Sequence, residues 1–201
     1  MTSEPTRRFV TTAGLAALGL AVRPAPARAL TEARARALVE GVVQDINRVI
    51  ASGRSLGRMI SEFERIFARY ADVSIIARST LGPAARRASA AQLRAYTEAF
   101  RSYVARKYGK RFNEFKGGRI EVRGVREVKS WHEVRSTAYL PGQSPFEVSF
   151  LVSDRSGRDR FFDLVIEGIS MRITERTEIG AMLDRRNGDI DALIADLRSA
   201  G

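Results

Sequence analysis

Phe146-Glu147-Val148-Ser149-Phe150-Leu151-Val152-Ser153-Asp154-Arg155-Ser156-Gly157 is the stretch that decides the fold. Phe146, Val148, Phe150 and Val152 occupy alternate positions, separated by Glu147, Ser149 and Leu151. Successive side chains of a strand point to opposite faces, so this spacing predicts a strand with one apolar face. Asp154-Arg155-Ser156-Gly157 reads as a hairpin-type connection, after which Phe162, Leu164 and Ile166 mark the next strand. A connection this short joins antiparallel neighbours, because parallel strands need a long crossover.

Working back toward the amino terminus, Pro141-Gly142 is a turn signal. Val134 and Ala138 sit in a strand around Trp131 to Leu140, and Ile120 and Val122 begin another. Together these make an antiparallel sheet of about four strands. Before Gly117-Gly118 the apolar period changes to that of a helix. Leu38, Val42, Val43, Ile46, Val49 and Ile50 form one stripe, and Gly53 closes that helix. Leu56, Met59, Ile60, Phe63, Ile66, Phe67 and Tyr70 form a second stripe. Asp72 is placed to cap a short third helix that Gly82-Pro83 stops. Ser89-Ala90-Ala91-Gln92 has the form of a capping box and opens an aromatic helix through Leu93, Tyr96, Phe100, Tyr103, Val104, Phe112 and Phe115. Beyond the strands, a helix is expected from about Thr177 to Arg186, a stop at Gly188, and a last helix from Asp189. A run of helices followed by a run of strands is an α+β layout, with helices covering one face of the sheet.

The chain has 201 residues, 44% of them hydrophobic and 28% charged, which fits one globular domain. Residues 1–29 have the make-up of an export signal: Arg7-Arg8, a mildly apolar run from Phe9 to Val22, and Ala27-Arg28-Ala29 as a small-x-small cleavage site. The paired arginines point to the twin-arginine route, although Phe9 follows them directly, and the general secretory route stays open. The domain expected is therefore 30–201, in the periplasm, with no apolar stretch long enough to span a bilayer. The whole chain carries +11; four arginines and Glu4 lie within residues 1–29, which leaves +8 on the remainder. Such a surface is drawn to anionic lipid or to nucleic acid, and an export signal argues against nucleic acid.

Little in the sequence resembles a catalytic centre. There is no cysteine and a single histidine, His132, so a strong transition-metal site is not expected. No nucleophile elbow, phosphate-binding loop or dinucleotide fingerprint is present, and no cofactor is implied. His132 reads as a partly exposed strand residue without an orienting partner. Asp163, Glu167, Glu175 and Glu178 cluster late in the chain, and Glu175 and Glu178 suit a solvated helix start. Arg106-Lys107 and Lys110-Arg111 read as a polar helix face, solvated or offered to a membrane or partner.

Three stretches together resemble the MlaC family, also described as toluene-tolerance auxiliary proteins. They are Phe67-Ala68-Arg69-Tyr70-Ala71-Asp72-Val73-Ser74-Ile75-Ile76-Ala77-Arg78 with Leu81-Gly82; Ala91-Gln92 with Tyr96-Thr97-Glu98-Ala99-Phe100, Tyr103 and Tyr108; and Phe162-Asp163-Leu164-Val165-Ile166-Glu167-Gly168-Ile169-Ser170-Met171 with Asp191-Ala192-Leu193-Ile194-Ala195-Asp196-Leu197. One departure is Pro83-Ala84-Ala85, where the family usually has a bulky aromatic after the Leu-Gly pair.

The resemblance implies a helical layer on a curved antiparallel sheet, a nuclear-transport-factor-2-like cone with an apolar cavity. It implies a periplasmic carrier that holds a phospholipid by its acyl chains, not an enzyme. Its partners would be an inner-membrane ABC transporter with a lipid-binding ring protein, an outer-membrane lipoprotein–porin complex and, transiently, the membrane surface. A hopanoid-associated branch has similar sequences, which makes a sterol-like cargo an alternative. On this reading the pocket is lined by Phe63, Phe67, Ile76, Phe100, Val104, Phe112, Val148, Phe150, Val152, Leu164 and Ile166. Residues of these types also fill any solid core. Two other readings follow from that: an adaptor, favoured by a cavity no larger than about 300 Å³, and an enzyme using His132 or Asp163, favoured by Asp163 facing a closed pocket.

Overall fold

The computed structural model describes residues 29–201, with the side chains of Phe112 and Asn113 excepted; the export segment expected over 1–29 lies, but for Ala29, outside them. Helix α1 (Glu32–Ala51) is capped by Thr31 and buries Ala35, Val39, Val42, Val43, Ile46, Val49 and Ile50, the stripe read from the sequence. Helices α2 (Leu56–Tyr70) and α3 (Val73–Leu81) follow, with the Asp72 side chain accepting the Ile75 amide at 3.2 Å. A 3₁₀ turn over Gly82–Arg86 leads to α4 (Ala90–Gly109). There the capping box is complete: Ser89 accepts from the Gln92 amide and Gln92 accepts from the Ser89 amide. No helix among the described residues is long and apolar enough to cross a membrane.

Helix α4 ends at Gly109, earlier than the aromatic spacing through Phe115 suggests, and continues as a 3₁₀ turn over Lys110–Asn113. Gly109 is where α4 crosses α2: a Cβ there would lie 2.8 Å from Ile60 Cγ1. Only glycine permits that approach. The tightened turn swings Phe115 toward the sheet, where it meets Phe146 edge-on at 6.5 Å.

The sheet is an antiparallel meander of five strands, β1 (Arg119–Val128), β2 (Trp131–Tyr139), β3 (Phe146–Ser153), β4 (Arg160–Ile166) and β5 (Ile169–Ser170), paired in chain order. The fifth strand exceeds the expected count because its two residues are too few to show a period. It is made by Glu167-Gly168, both at positive φ (47° and 82°), as a two-residue hairpin turn requires. Helix α5 (Met171–Arg185) starts earlier than Thr177, since Ser170 accepts the Ile173 amide and caps it there. Helix α6 (Ile190–Ser199) is capped by Asp189 as expected.

Register decides which side chains face inward. His132, Val134, Ser136 and Ala138 lie opposite Val152, Phe150, Val148 and Phe146, so these eight share the face that α1 covers. In β4 the pairing steps from Leu151–Asp163 to Val152–Phe161, which makes Phe162 the extra residue of a bulge. Phe161 therefore points into the molecule with Leu164 and Ile166. Phe162 turns to the opposite face, edge-on to Trp131 at 5.9 Å, with the Arg172 guanidinium over its ring.

The helices are tied to one another as well as to the sheet. Glu64 on α2 accepts from Arg101 Nε at 3.0 Å and Ser102 Oγ at 2.7 Å on α4. Burial alone would raise its pKa, but these bonds and the Arg101 charge hold it below the ordinary value of 4.5. A depressed folded pKa contributes stability above the unfolded value and loses it as pH falls through the folded one. Glu64→Gln is thus expected to lower stability by about 1 kcal/mol at pH 7. The difference from the parent should shrink steadily below pH 4.5. Urea unfolding at neutral pH and at the acid end of the stable range reads both; a gap independent of pH would remove the charged bond as its cause.

Candidate functional site

Between the helices and the sheet lies a cavity of about 220 Å³. Val42 and Ile46 of α1 and Phe63, Ile66 and Phe67 of α2 form its helical wall. Val148 and Phe150 of β3 and Phe161, Leu164 and Ile166 of β4 form its floor, closed by Ile120, Leu140, Phe146 and Met171. Phe67, Phe161 and Phe150 make a continuous aromatic run, with ring centroids 6.1 and 5.6 Å apart. The polar lining groups gather at one place: Arg111, Glu114 and Gln143 are exposed and form a rim between the end of α4 and the β2–β3 loop. The site is thus an apolar chamber with one charged lip, suited to hold hydrocarbon inside and a polar group at the edge.

Tyr108 is the wall residue with a polar attachment. Its hydroxyl donates to Glu175 Oε1 at 2.7 Å, and Lys107 Nζ reaches the same oxygen at 2.7 Å. Lys107 also bonds Glu178 Oε2, which accepts from Tyr103 as well. Glu175 is fully buried, so the sequence reading of a solvated helix start is corrected: α5 begins earlier and turns Glu175 inward. Burial raises the Tyr108 phenol well above its usual pKa, reinforced by the bond to Glu175, and pushes Tyr103 up to about 12 with Glu175 as the second cause. Burial works against the Lys107 ammonium, but the bonds to Glu175 and Glu178 outweigh it and raise its pKa. Lys107 and Arg106 are consequently not a plain solvated face: Arg106 caps α6 through the carbonyls of Leu197 and Ala200.

Of the side chains expected at a pocket, Phe63, Phe67, Val148, Phe150, Leu164 and Ile166 are brought together around this cavity. Ile76, Phe100, Val104 and Val152 are not; they are packed solidly in the core, Phe100 stacked on Tyr96 at 5.9 Å. The side chain of Phe112 lies outside the described residues. The sequence reading passed over Val42, Ile46, Tyr108, Phe115, Phe146 and Phe161. Phe146 belonged to the same alternating run as Val148, so its place was readable; Phe161 was hidden by the bulge.

The groups weighed for catalysis are committed elsewhere. Asp163 is buried off the cavity wall, where it accepts from the amides of Leu164 and Arg172 and from Ser170 Oγ at 2.6 Å, with Arg172 Nε at 3.7 Å. It anchors the start of α5. His132 is buried rather than partly exposed, faces the core opposite Val152, and its Nδ1 has no hydrogen-bond partner among the described residues. Among the described residues no carboxylate is hydrogen-bonded to that nitrogen. Among the described residues, no cluster of three or more His, Cys, Asp or Glu could hold a metal ion.

The sequence model of the family described as MlaC protein matches residues 37–199, which spans every helix and strand except the first turns of α1. Among solved structures, the chain is similar to a phospholipid-binding protein from Ralstonia solanacearum, determined in complex with a phospholipid. The two are 19% identical and superpose with a TM-score of 0.70 over 82% of this chain and 95% of that one. At that identity the likeness concerns the fold.

Proposed function

From the premise that this chain belongs to the MlaC family, we propose that it is a phospholipid carrier of the periplasm and not an enzyme. On this reading it takes acyl chains into the cavity between α1, α2 and the sheet. It shuttles the lipid between an inner-membrane ABC transporter complex with its lipid-binding ring protein and an outer-membrane lipoprotein–porin complex, touching the membrane surface in passing. The observation that carries the proposal is the chamber itself: six phenylalanines and a set of aliphatic side chains enclose unfilled space, and charge is confined to its lip. Binding of a phospholipid by the similarly folded Ralstonia solanacearum protein supports the same cargo class.

The energetics suit exchange. Burial is worth roughly 0.8 kcal/mol per methylene, so two chains with about 30 methylenes together represent on the order of 24 kcal/mol of exposure to water. Membrane and cavity must match each other closely, and an apolar lining does that without specific polar grips. The phosphate would remain at the lip, where Arg111 is the cationic lining group.

Size is the point on which a second reading rests. The cavity measures about 220 Å³. That is below the ~300 Å³ expected of a small-molecule site and favours an adaptor with a nearly filled core. The carrier reading requires the cavity to widen as chains enter. Mass spectrometry of organic extracts from protein starting at Leu30, purified from periplasm without detergent, separates the two. Stoichiometric phospholipid, absent from a control protein treated alike, is the expected result. No lipid, and none acquired from vesicles, would leave the adaptor.

A further inference from the structure

A second feature lies on the outer side of the α1–α2 seam. Arg48, Arg54, Arg65 and Arg69 surround a groove of about 450 Å³ whose floor carries Asp45 and Glu62. The carboxylates are well covered, with side-chain exposures of 17% and 23%, whereas three of the four arginines keep more than 70% of theirs. Each carboxylate organises two guanidinium groups. Asp45 receives Arg48 at 2.6 Å with Arg69 at 3.7 Å, and Glu62 receives Arg54 at 2.6 Å and Arg65 at 2.8 Å. The Tyr70 hydroxyl fixes Asp45 from the other side at 2.9 Å.

Four cations against two anions leave the groove at +2. A guanidinium carries five N–H donors in a fixed fork. The carboxylates engage a minority of them, and Arg65 Nε reaches the Ser61 carbonyl at 3.4 Å. Partly covered acids that hold exposed arginines in place pre-organise them to receive a tetrahedral, multiply charged oxyanion by paired hydrogen bonds. A carboxylate ligand would satisfy one such fork; a phosphate has oxygens enough for several.

The groove also has a fixed relation to the chamber. Ile66 lines both, and Val42 and Ile46 face the chamber while Asp45, Arg48 and Val49 of the same helix face the groove. Only the α1–α2 seam separates them. We propose that this groove is a phosphate-binding site, in which Arg48, Arg54, Arg65 and Arg69 receive a phosphate group, free or as the head of a lipid. It is distinct from the lip at Arg111 and does not depend on the cavity holding lipid.

The test titrates the protein with inorganic phosphate, with glycerol 3-phosphate and with vesicles of phosphatidylglycerol in phosphatidylcholine. Calorimetry reads the soluble probes and flotation reads the vesicles. Arg65→Gln with Arg69→Gln is compared with Arg86→Gln plus Arg185→Gln, which removes the same charge from exposed positions elsewhere. Both pairs should keep the parent's melting temperature. The expected result is a tenfold or greater loss of affinity in the first pair and little change in the second. Loss confined to vesicles assigns the phosphate to a lipid head; loss confined to soluble probes assigns it to free phosphate. The proposal fails if no probe saturates, if R65Q/R69Q binds like the parent, or if both pairs weaken alike, which would reduce the effect to net charge. Lipid content of the cavity, read separately in the same variants, reports on the carrier reading alone.

Discussion

Lys107→Met is expected to destabilise the protein by about 3 kcal/mol, the low end of what breaking a buried ion pair costs. The low end applies because the Lys107 side chain keeps 26% of its surface in water, whereas Glu175 keeps none. Without the ammonium, Glu175 retains only the Tyr108 hydroxyl on Oε1, and Oε2 already has no partner among the described residues. A carboxylate so placed has lost its compensating charge and cannot reach water. In a chain of this size, roughly 10 °C in melting temperature is at stake. The double replacement Lys107→Met with Glu175→Leu is expected to recover most of that loss, since apolar groups of similar volume replace a buried pair at little net cost. Urea denaturation of the parent, both singles and the double closes the cycle. A Lys107→Met loss under about 1 kcal/mol, the worth of an exposed pair, would show that the bridge is a surface contact after all.

This cluster marks where the sequence stopped being legible. The helices and the strand order could be read because their signals are periodic and local: the capping box at Ser89, the caps at Asp72 and Asp189, the alternation from Phe146 to Val152. Glu175 sits beside Glu178 with ordinary surface composition around it, and nothing in their spacing tells the buried one from the exposed one. The difference arises from where α5 starts, which is set by Ser170 and by Asp163 nine residues before Arg172. The same holds for the cavity. Helical and strand periods identify inward faces, but whether an inward face meets a neighbour or a void depends on how two elements are spaced. Gly109 brings α4 onto Ile60, and the Phe162 bulge exchanges Phe162 for Phe161. Ile76, Phe100 and Val104 share the period and chemistry of Phe63 and Phe67, yet their neighbours close around them.

That division has a functional consequence. Leu164→Trp is expected to reduce bound phospholipid about tenfold while leaving the melting temperature unchanged or raised. Leu164 lies opposite Phe150 on the cavity floor and is only half-buried, so an indole has space to enter. It displaces roughly two methylenes of hydrocarbon, worth about 1.6 kcal/mol at 0.8 kcal/mol each, and 1.4 kcal/mol is a factor of ten in affinity. The ring meanwhile buries its own apolar surface in space previously unfilled, which favours the fold. Ile76→Val should do the reverse: it opens a void in a site with no access to the cavity, costs about 1 kcal/mol of stability, and leaves lipid content as it was. Opposite signs in the two variants can arise only if the chamber is a binding volume and not a packing defect. If Leu164→Trp stabilises the protein without touching its lipid content, the chamber is an unfilled part of the core. If it lowers lipid content and stability together, the loss reflects misfolding and the cavity carries no function by this criterion.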